Sequence, residues 1–243
     1  MDNSIYIAIS KQTALKGQMD LVANNIANMN TSGYRAQHAL FQEYVQKQDS
    51  IAEVNDPISM VQNYGQYDDM RAGPVKTTGN KLDIALQGPG FLGVITPGGI
   101  EYTRGGNLSM NTNGELVTAT GFPVADAGGA PIIIPEGERE IVFGKDGTIV
   151  SENGAIGELM IAEFDNYQNL TPQGNGLYKT DDAALPADGT SIMQGAVEGS
   201  NVNPILEMTR MIEISRNYQS THKFMQGEHD LQLDSIKKLA RVS

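Results

Sequence analysis

From Ile5 to Met29 the chain repeats apolar residues at the spacing of a helix seam. Ala8, Leu15, Val22 and Met29 fall on one row, and Ile5, Gln12, Met19 and Ile26 on the other. Seven of these eight are apolar, which predicts a helix over residues 4–29 whose stripe needs a partner. Gly17 is its one weak position. Asn28 to Gly33 supplies a stop, because Asn and Gly tolerate the left-handed backbone that ends helices. A second helix is predicted over residues 202–241, with Asn203 as N-cap and Pro204 at the first helical position, where a missing N–H costs nothing. One framing places Ile205, Ile212, Gln219, Gln226, Leu233 and Ala240 on one row and Met208, Ser215, His222, His229 and Ile236 on the other. That seam is apolar at both ends and polar in its centre, and a polar centre weakens burial while fixing register. The two terminal helices are natural partners for each other.

Between them the period changes. From Lys81 to about Met193 short β-runs alternate with turns: Leu82 to Leu86, Phe91 to Ile95, Ile100 to Arg104, Glu115 to Thr118, Ile132 to Ile134, Ile141 to Phe143, Thr148 to Val150 and Leu159 to Phe164. Asn113-Gly114, Gly128-Gly129, Asp146-Gly147 and Asn153-Gly154 punctuate them, and Asx-Gly pairs between β-formers signal hairpins. This predicts an all-β domain of many short strands, a barrel or sandwich. Residues 36–79 read as a connecting segment. In it Leu40, Phe41, Tyr44 and Val45 fit a short helix, and Gln46 to Asn55 is a polar stretch expected to be mobile. All ten prolines lie at or beyond Pro57, so the chain changes character there. The fold class is therefore α+β, divided as 1–35 (helical), 36–79 (connecting), 80–200 (all-β) and 201–243 (helical, packing with 1–35).

Charge sharpens this division. The net charge of −12 is confined to the middle: residues 51–201 carry −13, residues 1–50 carry zero and residues 202–243 carry +1. An acidic middle argues against nucleic-acid binding, which needs a basic surface. Near-neutral ends associate without long-range self-repulsion. The chain has no cysteine, which excludes disulfides and thiolate metal sites. No run approaches the length of a membrane-spanning helix, and the first residues lack the pattern of a cleaved secretory signal.

Candidate chemistry is sparse. Gly88-Pro89-Gly90-Phe91-Leu92-Gly93 matches the dinucleotide fingerprint by letter, but Pro89 interrupts it and a strand-like run follows where a helix N-terminus is required. A tight turn between strands explains these glycines better. His222 and His229 lie seven residues apart, about 10 Å along a helix, too far to share one metal ion within that helix. There is no nucleophile elbow and no triad pattern, and no carboxylate pair is singled out for acid–base work. No catalytic, cofactor or metal site is read from this sequence.

Two blocks at opposite ends carry a resemblance. One is Ala23-Asn24-Asn25-Ile26-Ala27-Asn28 with Thr31, Gly33, Tyr34 and Arg35; the other is Glu198-Gly199-Ser200-Asn201-Val202-Asn203-Pro204 followed by Glu207-Met208 and Met211-Ile212-Glu213. Together with Leu82 to Phe91, Tyr102-Thr103-Arg104, Gly114 to Thr118, Gly121 to Val124 and Gly174 to Tyr178, they resemble the axial proteins of the bacterial flagellum, the rod and hook proteins of its basal body. Within that family the short length, the opening Met1 to Tyr6 and Val22-Ala23-Asn24-Asn25 look like a proximal-rod subunit; a distal-rod or hook-family subunit is the alternative. From other classes, an envelope enzyme or a coiled-coil adhesin competes.

The resemblance implies a non-catalytic structural subunit without cofactor, which assembles with itself and other rod proteins into a helical, torque-transmitting shaft. It implies export through the flagellar type III apparatus without a cleaved signal, a place in the periplasmic rod of the basal body, and neither nucleic-acid binding nor membrane insertion. The terminal helices are expected to pair as a coiled-coil-like segment. The expected assembly residues are Leu15, Met19, Val22, Asn24, Asn25, Ile26, Asn28, Thr31, Gly33 and Tyr34 at one end and Asn201, Asn203, Ile205, Met208 and Ile212 at the other.

Overall fold

A computed structural model describes residues 2–46, 58–138 and 140–242. The polar stretch expected to be mobile therefore lies, from residue 47 onward, outside the described residues. The chain divides into two compact units built from alternating segments: one comprises Met1–Ala27, Gln37–Asp68 and Asn203–Ser243, the other Asn28–Ala36 and Asp69–Val202. The division falls differently from the four segments read from sequence, because residues 28–36 leave the first helix and join the strand-rich unit.

In the helical unit, α1 (Asp2–Ala27) packs on α2 (Pro204–Val242) and on an antiparallel hairpin of β1 (Gln37–Gln46) and β2 (Ile58–Asp68). Ala8, Ala14, Leu15, Val22 and Asn25 are the buried positions of α1, so its inward face is the one that the apolar spacing marks. Asn203 caps α2: its side-chain oxygen accepts the Leu206 N–H at 3.3 Å and its carbonyl accepts the Glu207 N–H at 3.0 Å. On α2 the inward row is Glu207, Met211, Ile214, Tyr218, Thr221, Met225, Glu228 and Gln232, stepping alternately by four and three residues, and all are buried or half-buried.

Two expectations are corrected here. Ile205, Met208 and Ile212 do not lie on the inward row; they are 79%, 48% and 53% exposed. Leu40, Phe41, Tyr44 and Val45 lie in β1 rather than a short helix. Their i, i+1, i+4, i+5 spacing fits a helix face, but aromatic and β-branched residues with an antiparallel partner at Ile58–Asp68 favour the extended chain.

The second unit is strand-rich. Its strands are β3 (Val75–Thr77), β4 (Ile84–Gln87), β5 (Phe91–Thr96), β6 (Gly99–Thr103), β7 (Leu108–Met110), β8 (Leu116–Thr118), β9 (Val142–Phe143) and β10 (Thr148–Ser151). They continue with β11 (Gly154–Glu158), β12 (Ile161–Glu163), β13 (Thr171–Gly174), β14 (Leu177–Lys179), β15 (Leu185–Pro186), β16 (Ser191–Gln194) and β17 (Ala196–Glu198). The largest sheet has six strands in the order β13-β14-β6-β5-β12-β15, beside a three-stranded sheet β11-β10-β9 and the pairs β16-β4, β17-β3 and β7-β8. All these pairings are antiparallel. Among the described residues the strands thus form several small sheets, linked by isolated bridges such as Val94–Val124 and Asp126–Leu159, rather than one continuous barrel or a two-sheet sandwich. Ile84, Leu92, Leu116, Val124, Ile149 and Leu159 centre an aliphatic core, and Phe91, Tyr102, Phe164 and Tyr178 form a second, aromatic one. The Tyr102 and Phe164 rings meet edge to face with centroids 4.8 Å apart.

Candidate assembly interface

The two end blocks meet inside the strand-rich unit as a buried polar clasp. Glu198, 1% exposed, lies between two guanidinium groups: Arg35 Nη1 at 2.7 Å from Oε1 and Arg104 Nη2 at 2.5 Å from Oε2. Arg104 Nε adds a second bond to Oε2 at 2.9 Å, and the Gly73 N–H donates to Oε1 at 2.9 Å. Two cations and one anion leave an excess positive charge in a site closed to water. Backbone carbonyls offset it: Leu86, Gly88 and Gly90 accept from Arg104, and Arg71 accepts from Arg35 at 2.6 Å. Burial pushes the Arg104 guanidinium below its ordinary pKa, the Glu198 charge pulls it back up, and the Arg35 charge adds to the lowering. The glycine-rich stretch that resembles a nucleotide loop by letter thus points two carbonyl oxygens at an arginine.

The clasp also closes through the backbone. The Glu198 carbonyl accepts the Gly33 N–H and the Ser32 hydroxyl, each at 2.8 Å. Asn201 accepts the Ala36 N–H at 2.7 Å, donates to the carbonyls of Asp69 and Arg71 at 2.7 and 2.9 Å, and gives its own N–H to the Tyr34 carbonyl at 3.3 Å. Gly33 is needed for two reasons: its φ is +71°, and a Cβ there would stand 2.4 Å from the Arg104 carbonyl carbon.

A second polar knot lies in the helical unit. Asn25, 1% exposed, accepts the Gln37 N–H and donates to the Gln37 carbonyl, both at 2.9 Å, and also donates to Glu207 Oε2 at 3.2 Å. The other Glu207 oxygen takes Arg210 Nη1 at 2.6 Å. One asparagine therefore pairs with the edge of β1 as a strand would, and ties α1 to α2 through a carboxylate in the first turn of that helix.

The residues expected at an assembly interface separate into groups. Leu15, Val22 and Asn25 are buried in the helical unit, with Met19 and Ile26 half-buried beside them. Gly33, Tyr34 and Asn201 belong to the clasp, where Gly33 is buried and the other two are half-buried. Asn28 and Thr31 form the turn after α1, the Thr31 hydroxyl donating to Asn28 Oδ1 at 3.1 Å. Asn24 and the cap Asn203 are exposed. Ile205, Met208 and Ile212 form an exposed apolar row on α2. Arg35, Arg104, Glu198 and Glu207 stand in the sequence motifs yet are missing from the expected set; the available signal is that each is a charged residue inside one of those motifs. Among the described residues no three His, Cys, Asp or Glu side chains are grouped to hold a metal ion, and no helix is long and apolar enough to cross a membrane.

Comparison with known proteins agrees with this layout. Residues 5–35 match the family model of flagella basal body rod proteins, residues 85–151 that of the flagellar hook protein FlgE/F/G D1 domain, and residues 193–237 that of the flagellar basal body rod FlgEFG protein C-terminal region. The chain is 34% identical to a flagellar basal-body rod protein FlgF of Caulobacter vibrioides and 35% identical to one of Mesorhizobium japonicum, covering 100% of both chains in each case. It is 31% identical to a flagellar basal-body rod protein FlgG of Bacillus subtilis, over 99% of this chain and 100% of that one. The chain belongs to the flagellar basal-body rod family, whose members are structural axial components of the flagellum, and within it to the FlgF type.

Proposed function

We propose that this chain is a structural subunit of the proximal rod, which assembles with copies of itself and with other axial proteins into a helical shaft that transmits torque. The observation that carries the reading is the exposed apolar row Ile205, Met208 and Ile212 on a helix whose inward face is already covered. A surface of that kind stabilises by about 25 cal/mol for each Å² removed from water. Repeated contacts that do not close into a ring produce a helical tube. In this reading α1 and α2 pair in a coiled-coil-like manner, and residues 1–35 and 201–243 are the assembly segments. Leu15, Met19, Val22, Asn24, Asn25, Ile26, Asn28, Thr31, Gly33, Tyr34, Asn201 and Asn203 shape and position them, and Ile205, Met208 and Ile212 meet neighbours. The chain travels through the flagellar type III export apparatus and works in the periplasmic part of the basal body. It performs no catalysis, and it neither binds nucleic acid nor inserts into a membrane.

The test is removal of residues 2–27, which spares Arg35 and the clasp. Rods and motility should be lost while the strand-rich unit keeps its near-ultraviolet circular dichroism; motile cells carrying only the shortened chain would overturn the reading. A distal-rod role is the second reading, favoured by the full-length match to a FlgG protein. Electron microscopy of basal bodies with this chain labelled separates the two by position along the rod.

A further inference from the structure

The chain passes between its two units four times, after Ala27, Ala36, Asp68 and Val202. Every covalent path from one unit to the other runs through these four places. On the strand-rich side, three of them are stitched together by one residue. Asn201 Oδ1 accepts the Ala36 N–H at 2.7 Å, and Nδ2 donates to the carbonyls of Asp69 at 2.7 Å and Arg71 at 2.9 Å. The Asn201 N–H donates to the Tyr34 carbonyl at 3.3 Å, and the Asp69 N–H to the Ala36 carbonyl at 2.8 Å. Ala36, Asp69 and Asn201 thus stand side by side, each within two residues of a crossing. The fourth segment, which enters at Asn28, is held a few residues further on by the bonds of Ser32 and Gly33 to the Glu198 carbonyl.

The task needs a carboxamide. That group presents an acceptor and a two-proton donor in one plane, and Asn201 spends both on main-chain groups of two separate segments. A carboxylate would turn the two carbonyl contacts repulsive, and an aliphatic side chain would leave one N–H and two C=O groups without this partner. Packing does not duplicate the tie. Asp69 and Asn201 are only half-buried, and Ala36, Asp69 and Asn201 belong to neither the aliphatic nor the aromatic core.

We infer that Asn201 is a positioning residue that fixes the spacing of the segments joining the two units, so that they bear load together rather than one at a time. The purpose of this tie rests on the rod-subunit reading, to which it adds the place where the subunit resists shear. With the amide present, tension on one segment is shared by its neighbours through parallel hydrogen bonds. Without it each crossing is loaded singly, while the strand-rich core stays folded, because the core opens as a separate and more stable unit.

Hydrogen exchange on the purified full-length chain tests the positioning role. In Asn201→Ala the Ala36 and Asp69 amides should exchange about ten-fold faster, while the core amides of Leu116 and Val124 change by less than about two-fold. Asn201→Asp keeps an acceptor for Ala36 and lacks both donors, so it should release Asp69 more than Ala36. A uniform rise at all four amides, or no rise at Ala36 and Asp69, would overturn the inference. In cells carrying only the Asn201→Ala chain, rods should form in normal number. Their flagella should be shed about ten-fold more often than those of cells with the unsubstituted chain in viscous medium, since forced opening follows the unfolding rate, with little difference in dilute buffer. Equal shedding in viscous medium would remove the load-bearing role. Basal bodies that contain none of the unsubstituted chain would instead remove the rod-subunit reading and leave the exchange result standing.

Discussion

The clasp and the outer row of α2 hold residues from the same sequence blocks, and they use opposite physics. At the clasp, charged and amide groups are sealed from water and every bond stays within one chain: Glu198, Arg35, Arg104 and Asn201 fix where the two ends of the strand-rich unit join. On α2, apolar residues face solvent and satisfy nothing in the chain that carries them. Polar groups suit the first task because their geometry is directional and an unpaired buried charge is heavily penalised. Apolar groups suit the second because their attraction is non-directional and tolerates an approaching partner. The lesson is that a signature block in an assembling protein need not mark the interface; here much of it secures the subunit that presents the interface.

Substitutions can break this contrast, and the largest effect belongs to the clasp. Glu198→Leu removes the single anion between two buried guanidiniums and should destabilise the strand-rich unit by about 3–5 kcal/mol, seen as a lower midpoint in urea. Gly33→Ala comes next: a left-handed φ combined with overlap on the Arg104 backbone should cost about 2–3 kcal/mol, measured the same way. Asn25→Ala leaves the Gln37 backbone groups and one Glu207 oxygen without this partner, for a loss of about 2 kcal/mol, read from helical circular dichroism on melting. The smallest change in stability, under about 0.5 kcal/mol, is expected for Ile212→Ser, yet that chain should fail to complement motility. If Ile212→Ser melted early, or Glu198→Leu left the midpoint unmoved, the division of labour between the two regions would be wrong.

Much of this architecture is legible in the sequence where one physical signal acts alone. The α1 stripe is an example: Ala8, Leu15 and Val22 recur at seam spacing and are buried. The Asx-Gly turns are another, with Asn153-Gly154 closing the β10–β11 hairpin and Asn113-Gly114 lying between β7 and β8. α2 misleads because it has two stripes. The row with the most apolar ends, through Ile205, Ile212 and Leu233, outscores the inward row, whose Glu207 and Thr221 look like surface residues. Periodicity reports that a stripe exists and is silent on what covers it. The β1–β2 hairpin is lost for a different reason: its inner pair, Gln46 and Ile58, is separated by residues 47–57, and no short turn signal links the two strands. The clasp is the least legible of all, because Arg35, Arg104 and Glu198 come from three distant places that only the folded chain brings together.

That last separation has a consequence in time. Ala36 and Asn201, which share a hydrogen bond, are 165 residues apart. A polypeptide delivered to a compartment with its amino end leading exposes Arg35 early, and the carboxylate that neutralises it arrives only after most of the chain has passed. Closing so long a loop is slow and entropically unfavourable until the contacts that reward it are present. For any chain that enters a compartment amino end first, the clasp of the strand-rich unit can close only when Glu198 reaches the two arginines.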